Sequence, residues 1–138
     1  MADLSAARFL RRALADLRRA DPQRYAEIAG RLERAPTRCD VGGERFSVTA
    51  EGGRVSVLPG WVPWTLGCVV LAPGAVLDLA GGDATLEQLL AAEAVVVRGA
   101  ADTLLELWAA VTAFVLGAAG APALVRHLGD YRAWVLGD

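Results

Sequence analysis

Apolar residues near the start of the chain recur every three or four positions. Leu4, Ala7, Leu10, Leu14 and Leu17 form one stripe, and Arg8, Arg11, Arg12, Arg18 and Arg19 surround it. That spacing predicts an amphipathic helix over about residues 4–20. Asp21-Pro22 then supplies an N-cap and a proline at the first helical position. A second helix is expected to about Arg34, with Tyr25, Ile28, Ala29 and Leu32 on one face, and Ala35-Pro36 ends it. The helical pair thus occupies residues 4–34.

The period then changes to two. Over 44–50, Phe46, Val48 and Ala50 share one face, and Arg45, Ser47 and Thr49 the other. Residues 53–58 alternate likewise, with Val55 and Val57 inward, and Glu51-Gly52-Gly53 is the hairpin turn between them. Cys39–Val41 and Gly67–Ala72 are further strand-length runs, which places the strands within 37–72. Residues 59–65 form a loop with two tryptophans, Trp61 and Trp64. Small helices are expected within 74–92, broken by Gly81-Gly82, the second opened by the capping-box pair Thr85 and Gln88. A strand follows at 94–98, then two C-terminal helices within 101–135. Strands clustered in this way predict an α+β fold with a mainly antiparallel sheet. There is no internal repeat and no linker, so one domain is expected over 1–138.

The segment from Gly74 to Val115 carries a recognisable unit. Thr85-Leu86-Glu87-Gln88-Leu89-Leu90 is a leucine-rich helix. Val95-Val96-Val97-Arg98-Gly99 is a strand ending in glycine, and a long apolar helix starts near Asp102. This unit resembles the SCP2-like (sterol carrier protein 2) family, and the helical pair and hairpin before it fit that family's order of elements. The resemblance implies a single SCP2-like domain, with about five strands covered by helices. It also implies an apolar cavity for a lipid or other lipophilic small molecule. Members of the family act as carriers or binding modules, usually without catalysis. Where the family often has glycine before the last strand, this chain has Glu93.

Composition sharpens the picture. The chain has 138 residues and is 54% hydrophobic, with mean hydropathy +0.36, which excludes a disordered chain. The surplus lies in two uncharged runs, 55–77 and 107–125. Pro59, Pro63 and Pro73 break the first, and Gly117, Gly120 and Pro122 the second. Buried core or a lipophilic cavity is therefore expected, not a membrane span. The net charge of −2 gives nucleic acid no reason to bind. The N-terminus has no continuous apolar core of a secretory signal. The two cysteines, Cys39 and Cys68, are not at metal or redox spacing. A cytoplasmic protein with reduced thiols, no metal and no cofactor is expected. All 14 basic residues are arginine, which suggests a GC-rich bacterial genome. Nine of them stand in residues 1–38 against five acids. That basic face is either simply solvated or docks on an anionic membrane or a protein partner.

The helix expected at 101–117 is apolar nearly all round. Leu104, Leu107, Trp108, Val111, Phe114 and Val115 share one face, and Leu105, Ala109 and Leu116 occupy much of the other. Such a helix needs cover on two sides: the sheet, and then another helix, a ligand or the second copy of a homodimer. The last helix puts Leu124, Leu128, Tyr131 and Val135 on one stripe, with Trp134 near its end as a lid. The expected ligand-binding wall is Leu90, Val97, Trp108, Val111, Phe114, Val115, Leu124, Leu128 and Trp134, beneath the last two helices. His127 and Tyr131, four apart, are the acid–base candidates. They would serve the alternative function, an enzyme or accessory protein for a lipophilic natural-product substrate, polyketide- or terpenoid-like. A lone histidine on such a helix is more often simply hydrogen-bonded.

Overall fold

The computed structural model describes residues 5–119 and 122–135, with backbone alone at 118, 119, 122–125 and 134; Leu4 lies outside the described residues. Helix α1 (Ala6–Ala20) starts at Ser5, whose hydroxyl accepts from the Arg8 N–H at 3.3 Å. A second anchor comes from far along the chain. The Glu44 carboxylate accepts from the Ala6 N–H at 2.8 Å and the Ala7 N–H at 3.0 Å. A negative group there satisfies orphan donors and favours the positive end of the helix dipole. Helix α2 (Pro22–Arg34) is capped by Asp21, which accepts from the Arg24 N–H at 3.1 Å. The buried faces carry Phe9, Leu14 and Leu17 on α1, and Tyr25, Ile28 and Leu32 on α2.

Five strands follow the order β3-β2-β1-β4-β5: β1 (Thr37–Val41), β2 (Glu44–Glu51), β3 (Arg54–Pro59), β4 (Gly67–Leu71) and β5 (Val95–Arg98). β1–β2, β2–β3 and β4–β5 are antiparallel, whereas β1 and β4 run parallel, with Thr37 opposite Gly67 and Val41 opposite Leu71. The sheet is therefore mixed. The parallel pair exists because the chain crosses from edge strand β3 over β2 and β1 before β4 begins. The tryptophan loop makes that crossing on the outer face of the sheet. The Trp61 indole N–H donates to the Cys39 carbonyl at 2.9 Å. The guanidinium carbons of Arg38 and Arg45 lie 5.1 and 4.2 Å from its ring centre. Ser47 Oγ donates to the Gly60 carbonyl at 2.9 Å and accepts from the Val62 N–H at 3.0 Å. That strap is why Ser47, on the outward side of β2, is fully buried.

Helices α3 (Pro73–Gly81), α4 (Leu86–Ala91), α5 (Ala101–Ala119) and α6 (Pro122–Val135) complete the chain. α4 opens with the reciprocal Thr85–Gln88 capping box, at 3.1 and 2.9 Å. α5 packs along α2 and touches the start of β4, where a Cβ on Gly67 would stand 2.8 Å from Leu107 Cδ1. α6 lies against α1 and α3. A smaller core of Ala75, Leu89 and Val95 joins α3, α4 and β5. Among the described residues, no helix is long and apolar enough to cross a membrane.

Glu93 adopts φ +59° just past α4, the one non-glycine residue in this region among those described. This left-handed conformation disfavours any residue with a Cβ. Glu93→Gly is therefore expected to stabilise the fold by about 0.5–1 kcal/mol, as an upward shift of the urea midpoint. An unchanged or lower midpoint would contradict that.

Candidate functional site: an apolar cavity

A cavity of about 200 Å³ lies between the inner face of the sheet and the helices. Alternation decides its floor. Thr37, Cys39 and Val41 of β1, Phe46 and Val48 of β2, and Val69 and Leu71 of β4 all point to one side. The roof comes from four helices: Phe9, Leu10 and Leu14 of α1, Ile28 and Leu32 of α2, Val76, Leu79 and Ala80 of α3, and Leu107, Ala110, Val111, Phe114 and Val115 of α5.

The lining offers almost no polar chemistry. Thr37 turns its hydroxyl to its own chain, donating to the Ala35 carbonyl at 2.8 Å. Burial, with a smaller contribution from Cys68, pushes the Cys39 thiol up to about 12. It stays protonated at neutral pH and behaves as a small apolar group. Both cysteines are free. Such a space binds by hydrocarbon burial, worth roughly 2.5 kcal/mol per 100 Å² of ligand surface. A dry apolar cavity of about 150 Å³ holds benzene. At about 200 Å³ the present one has room for a ring or a short chain segment.

Of the expected wall, Val111, Phe114 and Val115 line the cavity. Leu90 packs on the smaller core beside α4 and β5, and Val97 packs on both that core and the main one, without lining the cavity. Trp108 stands outward, 39% exposed, with Leu105 at 70% and Leu116 at 56% on the same side of α5. The turn that aims Leu107 and Ala110 at the sheet carries Trp108 away from it. Leu128 packs on the main core without reaching the cavity. The side chains of Leu124 and Trp134 lie outside the described residues. The cavity thus lies beneath α5, as expected, but none of the described residues of α6 lines it, because α6 packs against α1 and α3. Sequence reasoning assigned Leu10, Leu14, Ile28, Phe46 and Val48 to element faces but not to a wall; their inward periodicity was the only available signal.

His127 and Tyr131 do not face the cavity either. His127 Nε2 contacts the Asp16 carboxylate, which Arg19 also holds. Burial raises the Asp16 pKa, but the bonds from Arg19 and His127 outweigh it and hold the carboxyl below its ordinary 3.8. Tyr131 is 1% exposed and stacks on Phe9, with ring centres 5.2 Å apart. Burial, then repulsion from Glu44, pushes its phenol up to about 12. The two residues border a void of about 10 Å³, room for one water at most. Together with the Arg12–Asp130 pair at 3.8 Å, they fasten α6 to α1. No cluster of three or more metal-ligating side chains occurs among the described residues.

No protein-family model and no curated protein sequence matches the chain. Solved structures do match, at low identity. One is described as "UbiJ-SCP2 Ubiquinone synthesis protein", with TM-score 0.57 and 19% identity, over 75% of this chain and 82% of that one. Another is sterol carrier protein 2 of Yarrowia lipolytica in its apo form, with TM-score 0.56 and 18% identity, over 83% and 88%. A third is sterol carrier protein 2 like 2 of Aedes aegypti, with TM-score 0.50 and 17% identity, over 72% and 90%. The fold is therefore of the α+β class, a five-stranded mixed sheet covered on one face by helices. More particularly, it is an SCP2-like fold.

Proposed function

We propose that this chain is a cytoplasmic binding or carrier module for a lipid or other lipophilic small molecule. The observation that carries the reading is the cavity itself, walled almost wholly by apolar side chains from the three strands and four helices that meet there. The names of the similar structures, two sterol carriers and a ubiquinone-synthesis protein, support the same ligand class. The unpaired thiols agree with a reducing compartment. Among the described lining residues only Thr37 and Cys39 are polar, the one bonded to Ala35 and the other a thiol that burial keeps protonated, which disfavours the enzymatic alternative at this cavity.

The test is titration of native, delipidated protein with a fluorescent fatty-acid analogue, beside native mass spectrometry of the protein as purified. The expected result is saturable uptake of one ligand per chain, unaffected by His127→Ala. Absence of uptake by folded protein overturns the reading.

A further inference from the structure

A second recess, about 790 Å³ and open to solvent, runs between α1, the first turn of α2 and the edge strand β3. Its chemistry is the reverse of the cavity's. Arg11, Arg18 and Arg19 of α1 and Arg54 of β3 line it, and none of the described lining residues is acidic. The three helical arginines are seven and eight positions apart, which places them on one face. Arg19 is occupied by Asp16. Among the described residues, no carboxylate pairs with Arg11, Arg18 or Arg54. Glu51 stands opposite Arg54 across the hairpin without forming an ion pair, and an excess of positive charge still gathers here on a chain whose net charge is −2.

Two of these groups are held in place. Arg11 donates through Nε at 3.2 Å and Nη2 at 3.1 Å to the Val57 carbonyl. A guanidinium has five N–H donors, so the rest remain for other acceptors. Arg18 sits over the Tyr25 ring, 5.6 Å from its centre, and the Tyr25 hydroxyl accepts from the Val55 N–H at 2.9 Å. A pre-positioned guanidinium loses less freedom when it binds. The same contacts occupy backbone groups of β3 that β2 does not take. The recess is therefore unsuited to an added strand, and recognition there falls to the arginine side chains.

We propose that this recess binds a phosphoryl group, with Arg18 and Arg54 touching the ligand and Arg11 fixed beside them. A single carboxylate would balance only part of the charge. A phosphate or diphosphate brings more negative charge and enough oxygens for several guanidinium forks. Leu14, Val57 and Leu58 supply an apolar flank for the organic part of the ligand. The site is separate from the cavity, with the buried Leu14 between them, lining both.

Isothermal titration with inorganic pyrophosphate, and flotation with phosphatidylcholine vesicles with or without phosphatidic acid, test the proposal. The variants are Arg18→Gln combined with Arg54→Gln, and Arg98→Gln on β5 at the opposite edge of the sheet, all checked for an unchanged melting profile. Pyrophosphate is expected to bind and to weaken about ten-fold in the double variant and on raising salt, with Arg98→Gln like wild type. Flotation only with phosphatidic acid, lost in the double variant, identifies a lipid headgroup as the source. Binding of pyrophosphate without flotation identifies a free phosphate compound. Binding of neither probe, or equal binding by double variant and wild type, overturns the proposal.

Discussion

Replacing Ala110 with tryptophan is expected to abolish ligand uptake while leaving the chain folded. Ala110 is 5% exposed and projects from α5 into the cavity. An indole there enters a space of about 200 Å³ and displaces the hydrocarbon that would otherwise fill it. If 100 Å² of ligand burial is forfeited, affinity falls by roughly 50-fold or more. Stability should change by no more than about 1–3 kcal/mol, because the ring enters a void and not a filled core. Trp108→Ala is the informative control. Trp108 lies outside the wall, so uptake should stay within about two-fold of wild type. Titration with the fatty-acid analogue and a melting curve read both quantities. Undiminished affinity in folded Ala110→Trp would place the ligand elsewhere.

Asp16→Ala is expected to destabilise the fold by about 1–2 kcal/mol at neutral pH, by removing the buried acceptor shared by Arg19 and His127. The pH dependence has a defined sign. The Asp16 carboxyl is held below 3.8 in the folded chain. The stability it contributes is therefore complete above the unfolded value and lost as pH falls through the folded one. Urea unfolding of wild type and variant should differ near neutrality, and the gap should narrow as pH falls below 3.8. A gap that persists unchanged in acid would mean that the loss reflects packing and not the carboxylate.

Elements with strong local signals were legible in the sequence. The α1 stripe, the Asp21-Pro22 start, the Gly52-Gly53 hairpin and the Thr85–Gln88 box each depend on residues within a few positions. The parallel pairing of β1 and β4 was not legible, because it depends on how the tryptophan loop crosses the sheet. That crossing is fixed by contacts such as Trp61 with Cys39 and Ser47 with Gly60. The cavity was legible as a surplus of apolar residues but not as a place. An inward valine reads the same whether it meets a side chain or a void. Val111 and Phe114 reached the wall because they share the face of Leu107. Trp108 did not, since on a helix apolar nearly all round hydrophobicity cannot say which side meets the sheet. The two ends of the chain's chemistry, Asp16 and His127, are brought together only by the α1–α6 packing, which no local pattern encodes.

The Glu44 carboxylate at the head of α1 comes 38 residues after Ala6 in the chain. During synthesis, the first turn of that helix has Ser5 for an anchor until residue 44 has emerged and the hairpin has begun to form. Closing a loop of that length carries an entropic cost that local helix formation avoids. The helix written most plainly in the sequence therefore completes its own beginning late. The part of the cavity roof that rests on that turn, Ala6, Phe9 and Leu10, takes its final position only when the floor strand β2 is there to receive it.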